Sequence, residues 1–300
     1  MAGTTVDSPA REAAAPAGLA ATIAELVTCG SIEMTADRLD DARDLAAALP
    51  GGTKVYVNHL PRHTLAMRRA ALEGLHAAGL EPVPHVAARR VASRADLKTL
   101  LAAAVASAGV QKVLLIGGDD PVPIGPYPDS VSLLRDGLLA ECGVREVGLA
   151  GYPEGHPRIP KAVLERALAD KLRIAAEQGL GTYIVTQFSF APARVVEYVS
   201  ELAAQHPDVP VYVGIAGPTA PATLLKFAQR CGVSASLRAL KDQGMNLVRL
   251  VTHTDPGDQV VALARYCVAR PVCNVVGTHF FSFGGAMHTA AWMNRAISRE

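Results

Sequence analysis

The feature that most constrains this chain is an alternation. Eight short, almost uninterrupted apolar runs are separated by longer stretches with helical periodicity. The runs are Ser31–Met34, Val55–His59, Pro82–Val86, Lys112–Ile116, Glu146–Gly151, Thr182–Gln187, Val211–Ile215 and Asn274–Phe281. Parallel strands buried on both faces need continuous apolar character of this kind, whereas a half-exposed strand would alternate. Between the runs, Val195, Val196, Val199, Leu202 and Ala203 form one helical face, and Leu164, Leu168, Leu172 and Ala175 form another. The periodicity predicts helices near 19–28, 37–48, 64–78, 93–107, 129–141, 160–178, 191–205, 220–230 and 284–298. Ser93, with Asp96 three residues on, reads as a capping box, and Pro160 suits a first helical turn.

Eight parallel strands, each followed by a helix, close into a (β/α)8 TIM barrel. An open, doubly wound sheet is the competing arrangement, but no strand leads into GxGxxG and no Walker loop is present. The expected organisation is an α/β fold with one domain over 19–300, preceded by a disordered tail over 1–18. The gap from Ile215 to Asn274 is about one unit too long, so an extra helical insertion is expected before the last strand. Its helices would lie near 234–243 and 257–270, around the loop Thr252–Gly257.

Charge and cysteine usage narrow the partners. Lys and Arg total 29 against 28 for Asp and Glu, a net charge of +1 without the basic stripe that nucleic acid selects. The pairs Arg68–Arg69 and Arg89–Arg90 read as solvated surface. Five cysteines without a CxxC spacing argue for a reducing compartment, hence a cytoplasmic protein without disulfide framework or structural zinc. The tail Met1–Gly18 lacks the basic start and apolar core of a signal peptide. The charge-free run Pro271–Asn294 contains His, Asn and a Gly284–Gly285 break, which suits a buried strand turning into a helix better than a membrane span.

A barrel does its chemistry at the C-terminal ends of its strands. Those ends carry Glu33, Asn58–His59, His85, Gly117–Gly118–Asp119–Asp120, Tyr152 through Pro157, Gln187–Phe188, Gly214–Ile215, and then His279, Phe281 and Ser282. Each residue has a plain structural alternative: Asp119 and Asp120 as turn caps, the glycines as turn formers, Tyr152 and Phe188 as packing. Three chemistries could use such a rim. They are metal catalysis by Glu33, His59, His85, His156 and Asp119; proton transfer from Glu33 or Asp119 to a heterocycle held by Gln187; and hydride transfer with a planar cofactor against Tyr152 and His156. Spacing alone does not choose among them.

A resemblance does. Ala150-Gly151-Tyr152-Pro153-Glu154-Gly155-His156-Pro157 resembles the A-x-Y-P-E-x-H-P loop of methylenetetrahydrofolate reductases. In the family's order come Glu33, Pro84-His85, the Gly118-Asp119 step and Thr186-Gln187-Phe188, with Gly179 fitting the end of the preceding helix. Val276–Phe283 is similar to the family's last strand. The resemblance runs over nearly all of 30–298 and implies a (β/α)8 barrel that reduces 5,10-methylenetetrahydrofolate to 5-methyltetrahydrofolate in one-carbon metabolism, on the route to methionine. Hydride would come from NADH or NADPH, normally through FAD. It further implies that Glu33 is the acid that opens the methylene bridge and that Asp119 favours the resulting cation. Gln187 would hold the pterin beside Phe188 and Phe281. Asn58, His59, His85, Gly117, Gly118, Tyr152 and His156 would surround the cofactor, with Lys171 near its phosphates.

The departures are specific. After the acid, Met34-Thr35-Ala36-Asp37 stands for Phe-Phe-Pro-Pro, and Asn58-His59-Leu60 for T-Y-G. Gly117 replaces the arginine of R-G-D, and Ile174 and Ala175 stand where basic residues usually meet the FAD phosphates, with Lys171 and Arg173 one turn earlier. These changes weaken FAD more than folate, and leave open direct hydride transfer from nicotinamide. A barrel moving a methyl or methylene group without reduction, or a non-catalytic folate- or flavin-binding protein, is the alternative. A helix-rich barrel exterior is also compatible with a homo-oligomer. No fingerprint distinguishes NADH from NADPH.

Overall fold

The computed structural model describes residues 18–231, 233, 255–270 and 273–298. The chain forms a closed barrel of eight parallel strands paired in sequence order: β1 (Ser31–Met34), β2 (Lys54–Val57), β3 (Glu81–Ala87), β4 (Lys112–Ile116), β5 (Glu146–Gly151), β6 (Gly181–Thr186), β7 (Val211–Ala216) and β8 (Val275–Phe281). Closure comes from β1, which pairs with both β2 and β8. All eight apolar runs form strands. Two ends differ in a way that bears on the site: β2 stops at Val57 and β6 at Thr186, so Asn58, His59 and Gln187 belong to the rim loops.

The helices are α1 (Leu19–Thr28), α2 (Asp41–Ala48), α3 (Leu65–Ala77), α4 (Arg94–Ala108), α5 (Ser130–Arg135), α6 (Leu138–Glu141), α7 (Lys161–Glu177), α8 (Pro192–Gln205), α9 (Pro221–Arg230), α10 (Pro256–Val268) and α11 (Ala286–Ile297). The helix expected over 37–48 begins only at Asp41, because Asp37 is drawn across the rim to Arg62 Nε at 2.6 Å and His63. The single helix expected over 129–141 is broken into α5 and α6 at Gly137, whose φ of +79° ends the first turn sequence. Ser93 caps α4 by accepting the Asp96 N–H, while its hydroxyl donates to the Asp96 carboxylate. Pro160 sits at the N-cap of α7, one residue ahead of its expected place. The insertion helix near 257–270 is α10; the helix near 234–243 and the tail over 1–17 lie outside the described residues.

Two apolar layers hold the barrel. The larger lies between strands and helices, with Ile32, Val55, Leu115 and Phe280 pointing outward from the sheet. The smaller fills the bore with Tyr56, Val83, Leu114, Tyr183 and Val185. Tyr56 donates its hydroxyl to Tyr183, which donates in turn to the Val113 carbonyl, so the phenols are satisfied inside an apolar plug. Gly148 makes room for the Tyr183 ring; a Cβ there would lie 2.6 Å from it. The plug closes the bore and leaves the strand C-termini as the end that gathers polar groups.

Candidate active site

Glu33 sits on β1 opposite Tyr56, on the inward face above the tyrosine plug, and is 7% exposed. Its Oε1 lies 3.5 Å from His279 Nε2 and 3.7 Å from His85 Nε2, and Asn58 donates to Oε2 at 3.3 Å. Ser282 donates to the Glu33 carbonyl, tying the end of β8 to β1. His279 is fully buried, with Nδ1 2.8 Å from Ser31 Oγ and its ring edge-on to Tyr56 and Phe281. Burial depresses His85 to about 4, against the weaker pull of Glu33, so its imidazole is neutral at physiological pH. Its Nε2 has no hydrogen-bond partner among the described residues. Three residues expected at the rim (Glu33, Asn58 and His85) therefore converge. The sequence places His279 at a strand end without assigning it a role, and nothing in it singles out Ser31. The signal that could have done so is the S-x-E spacing on β1, which puts Ser31 and Glu33 on one face.

His59 stands beside this group on a basic edge. Its Nδ1 accepts the Ala87 N–H at 3.3 Å, and burial with Arg68 and Arg90 nearby lowers it to about 3. Of the arginine pairs only Arg69 is solvated surface, paired with Glu73. Arg68 is 2% exposed and donates to the His85 carbonyl. Arg90, with its side chain 8% exposed, pairs with Asp120 at 2.9 Å. Arg89 donates to the carbonyls of Asp120, Pro121 and Pro128, bracing the loop after β4. A turn of 3-10 helix at Ala88–Arg90, which no periodicity announces, carries Arg89 and Arg90.

Asp119 belongs to a second group. It follows Gly118, whose φ of +92° requires glycine, and its carboxylate is 57% exposed, 4.0 Å from Arg158. Its charge reaches Tyr152 and His156, which meet edge-to-face at 5.4 Å. A Cβ at Gly117 would meet nothing within 4 Å, so that shelf is open. Gln187 begins the loop after β6, with its Oε1 turned back onto the Phe188 N–H at 3.1 Å. Phe188 and Phe281 anchor an aromatic cluster with Phe190, Phe227 and Phe283. Phe283 has φ +49°, a left-handed conformation that L-residues adopt at a cost, held here by the rings around it.

The positions expected near cofactor phosphates are distributed differently. Ile174 and Ala175 are in the core between α7 and the sheet. Arg173 faces solvent in ion pairs with Asp170 and Glu177. Lys171 is 6% exposed, and burial lowers its ammonium from 10.5 to about 8 against the attraction of Asp129, the N-cap of α5. Helix α5 packs directly on α7 there. Below pH 8 the ammonium is charged in both states and its desolvation cost is fully present. Between 8 and 10.5 the unfolded chain binds the extra proton, so stability rises with pH. Lys171→Met is therefore expected to gain roughly 3 kcal/mol at pH 7 and to lose that rise. Denaturant unfolding at pH 7 and pH 10 measures it; an unchanged midpoint at pH 7 would sink the expectation.

Among the described residues, no three His, Cys, Asp or Glu side chains converge as a metal-binding group, and no helix is long and apolar enough to cross a membrane. A groove of about 570 Å³ opens between α7 and α8, floored by Leu164, Leu168 and Leu202 and adjoining the rim at Tyr152.

Against known proteins, residues 62–243 match the family model for methylenetetrahydrofolate reductase. Methylenetetrahydrofolate reductase 2 of Saccharomyces cerevisiae is 30% identical over 129 residues, covering 40% of this chain and 21% of the yeast protein. The chain thus spans about a fifth of the length of that curated relative in the matched part. Among solved structures, dihydropteroate synthase from Thermus thermophilus is similar with a TM-score of 0.43 at 15% identity, covering 88% of this chain and 91% of the other. Sialic acid aldolase from Ruminococcus gnavus gives 0.39 at 10% identity, covering 62% and 61%.

Proposed function

Since this chain belongs to the methylenetetrahydrofolate reductase family, we propose that it reduces 5,10-methylenetetrahydrofolate to 5-methyltetrahydrofolate with a hydride from NADH or NADPH. The observation that carries the reading is the Glu33 carboxyl, buried at the rim between two imidazoles and an amide. Opening the methylene bridge needs a proton on the departing nitrogen and leaves an iminium cation; hydride then adds to the methylene carbon and completes the methyl group. Glu33 supplies that proton. Asp119 contributes a carboxylate to the cation, and Gln187 keeps its amide N–H2 for the pterin while its oxygen is engaged by Phe188.

The surroundings of Glu33 suit a group that must be both acid and carboxylate within one turnover. When Glu33 is protonated, His279 accepts from it through Nε2 and donates from Nδ1 to Ser31. When Glu33 is ionised, the imidazole presents Nε2–H to it and accepts from the Ser31 hydroxyl. His85, held neutral by burial, brings no positive charge to this pocket.

FAD, the family's usual hydride carrier, needs cations for its diphosphate. The residues at the expected places do not fit: Ile174 and Ala175 are core, Arg173 faces solvent in ion pairs, Lys171 is buried under α5, and Gly117 offers no side chain. The reading we favour therefore passes hydride from nicotinamide directly to the folate-derived cation.

The visible spectrum of the purified protein and its NAD(P)H oxidation test both parts. The expected result is a protein without a flavin band that oxidises NADH or NADPH only when 5,10-methylenetetrahydrofolate is present, unstimulated by added FAD. A flavin band bleached by NAD(P)H would overturn direct transfer. Absence of any folate-dependent oxidation would overturn the reductase itself.

A further inference from the structure

At the mouth of the barrel two buried guanidiniums, Arg68 and Arg90, have a single carboxylate partner among the described residues. Arg68, in the first turn of α3, has no ion pair among the described residues, and burial alone lowers its pKa to about 10. Among the described residues its Nε has no hydrogen-bond partner, nor does Nη1 of Arg90. Arg90 shares the carboxylate of Asp120, and the guanidinium of Arg89 is consumed by three carbonyls. Two guanidiniums are thus set against one carboxylate in a low-dielectric place, where an uncompensated charge is strongly destabilising unless something pairs with it. A hydrophobic side chain of similar size would be the stabler choice at position 68 if stability were the only demand.

His59 completes the cluster. With Nδ1 accepting from the Ala87 N–H, its single proton is on Nε2, a neutral donor in front of two cations. Burial and those cations keep it neutral across the physiological range. The three residues follow the C-terminal ends of β2 and β3, beside the open position at Gly117, whose carbonyl accepts the Arg89 N–H. A flat, extended ligand on that shelf would bring its middle to this edge.

We propose that His59, Arg68 and Arg90 form an anion subsite that takes the diphosphate of a dinucleotide, with the hydride donor NADH or NADPH as its occupant. His59 Nε2–H makes the contact, and the two arginines behind it supply the field. The signs are complementary: the cluster carries one guanidinium charge beyond the Asp120 carboxylate, and a diphosphate is a dianion that can face both arginines. The assignment rests on the reductase reading for the identity of the occupant and on the charge arrangement for the anion.

ADP-ribose is the probe, because it carries the diphosphate without a nicotinamide or a flavin. Its binding to wild-type protein, His59→Phe, Arg90→Gln, Arg68→Met and Arg68→Lys is measured by calorimetry, beside the binding of FAD and of tetrahydrofolate. Wild-type binding is expected to weaken with added salt. His59→Phe and Arg90→Gln are expected to lose at least tenfold in ADP-ribose affinity, with a matching rise in KM for NAD(P)H and little change in kcat or in tetrahydrofolate affinity. Arg68→Lys, which keeps the charge, is expected to bind more tightly than Arg68→Met; should the latter fail to fold, the lysine variant and Arg90→Gln carry the test.

Unchanged ADP-ribose affinity in His59→Phe and Arg90→Gln would overturn the subsite. A loss confined to tetrahydrofolate would give it to the carboxylates of the folate tail and overturn the assignment. Tight FAD binding that these variants abolish would make the occupant a flavin dinucleotide and overturn the donor. Because ADP-ribose binding is read without turnover, it stands or falls separately from the reductase activity.

Discussion

Glu33→Gln is expected to lower kcat by about a hundred- to ten-thousand-fold, the usual worth of a positioned general acid, while tetrahydrofolate binding stays close to wild type. The amide has the shape of the carboxyl and still accepts from Asn58, but it holds no proton to give. Both His279 and His85 face the same oxygen, yet neither replaces the lost acid, because His279 is fully buried behind Glu33 and His85 is neutral. Steady-state kinetics with a tetrahydrofolate binding titration separates the two effects, since an interaction needed only in the transition state leaves the ground state alone. Full activity in Glu33→Gln would remove the acid from the mechanism and with it the reason for the cluster.

The second large effect is structural and lies two strands away. Gly214 on β7 pairs with His279 on β8, and a Cβ there would be 2.0 Å from the Thr186 carbonyl oxygen and 2.8 Å from the Phe281 ring. Backbone cannot yield as a flexible side chain can, so Gly214→Ala must push β6 and β7 apart. Its own N–H donates to Thr186 Oγ1 at 2.8 Å, and that bond would be lost as well. We expect destabilisation of about 3 kcal/mol or more, or failure to fold, with kcat falling in whatever protein does fold because Gln187 and His279 are both displaced. Gly51→Ala, where a Cβ meets only the Gly79 carbonyl at 4.0 Å, is the control and should be nearly neutral. Chemical unfolding of the two variants decides it: equal midpoints would mean that the strands are not in the close approach described.

The two predictions touch features that are readable from sequence to very different degrees. Each of the eight strands is visible because a strand buried on both faces leaves a continuous apolar run. The glycine in Val211–Ile215 carries no such mark, since its role depends on Thr186 and Phe281, far away in the chain. The helix over 129–141 misleads for a related reason: periodicity continues through Gly137, and only the backbone conformation shows the break. Arg68 and Arg90 mislead most. In sequence, Arg68 and Arg90 look like any exposed charge, because burial of a cation depends on which helix and turn are folded over it.

The rim follows the same division. Glu33, Asn58 and His85 are placed together by the rule that strand ends meet at one end of a barrel, which holds without coordinates. The Tyr152-to-Pro157 loop is distinctive enough to carry a family resemblance. Distances, tautomers and charge balance are beyond the reach of such rules. Ser31 and Glu33 share a face by strand periodicity alone, yet their link runs through His279, 246 residues from Glu33 in sequence.

Sequence by itself therefore determined the barrel and placed Glu33 on the first strand at the end where polar groups gather, because apolar patterning and strand polarity are local properties repeated eight times. Tertiary structure alone decided which imidazoles flank that acid, which arginines lost their solvent, and that α7 turns its core face where a cofactor's phosphates were expected. Those outcomes depend on pairs of residues brought together by barrel closure and helix packing, and pairing energies of that kind leave no periodic trace in the chain.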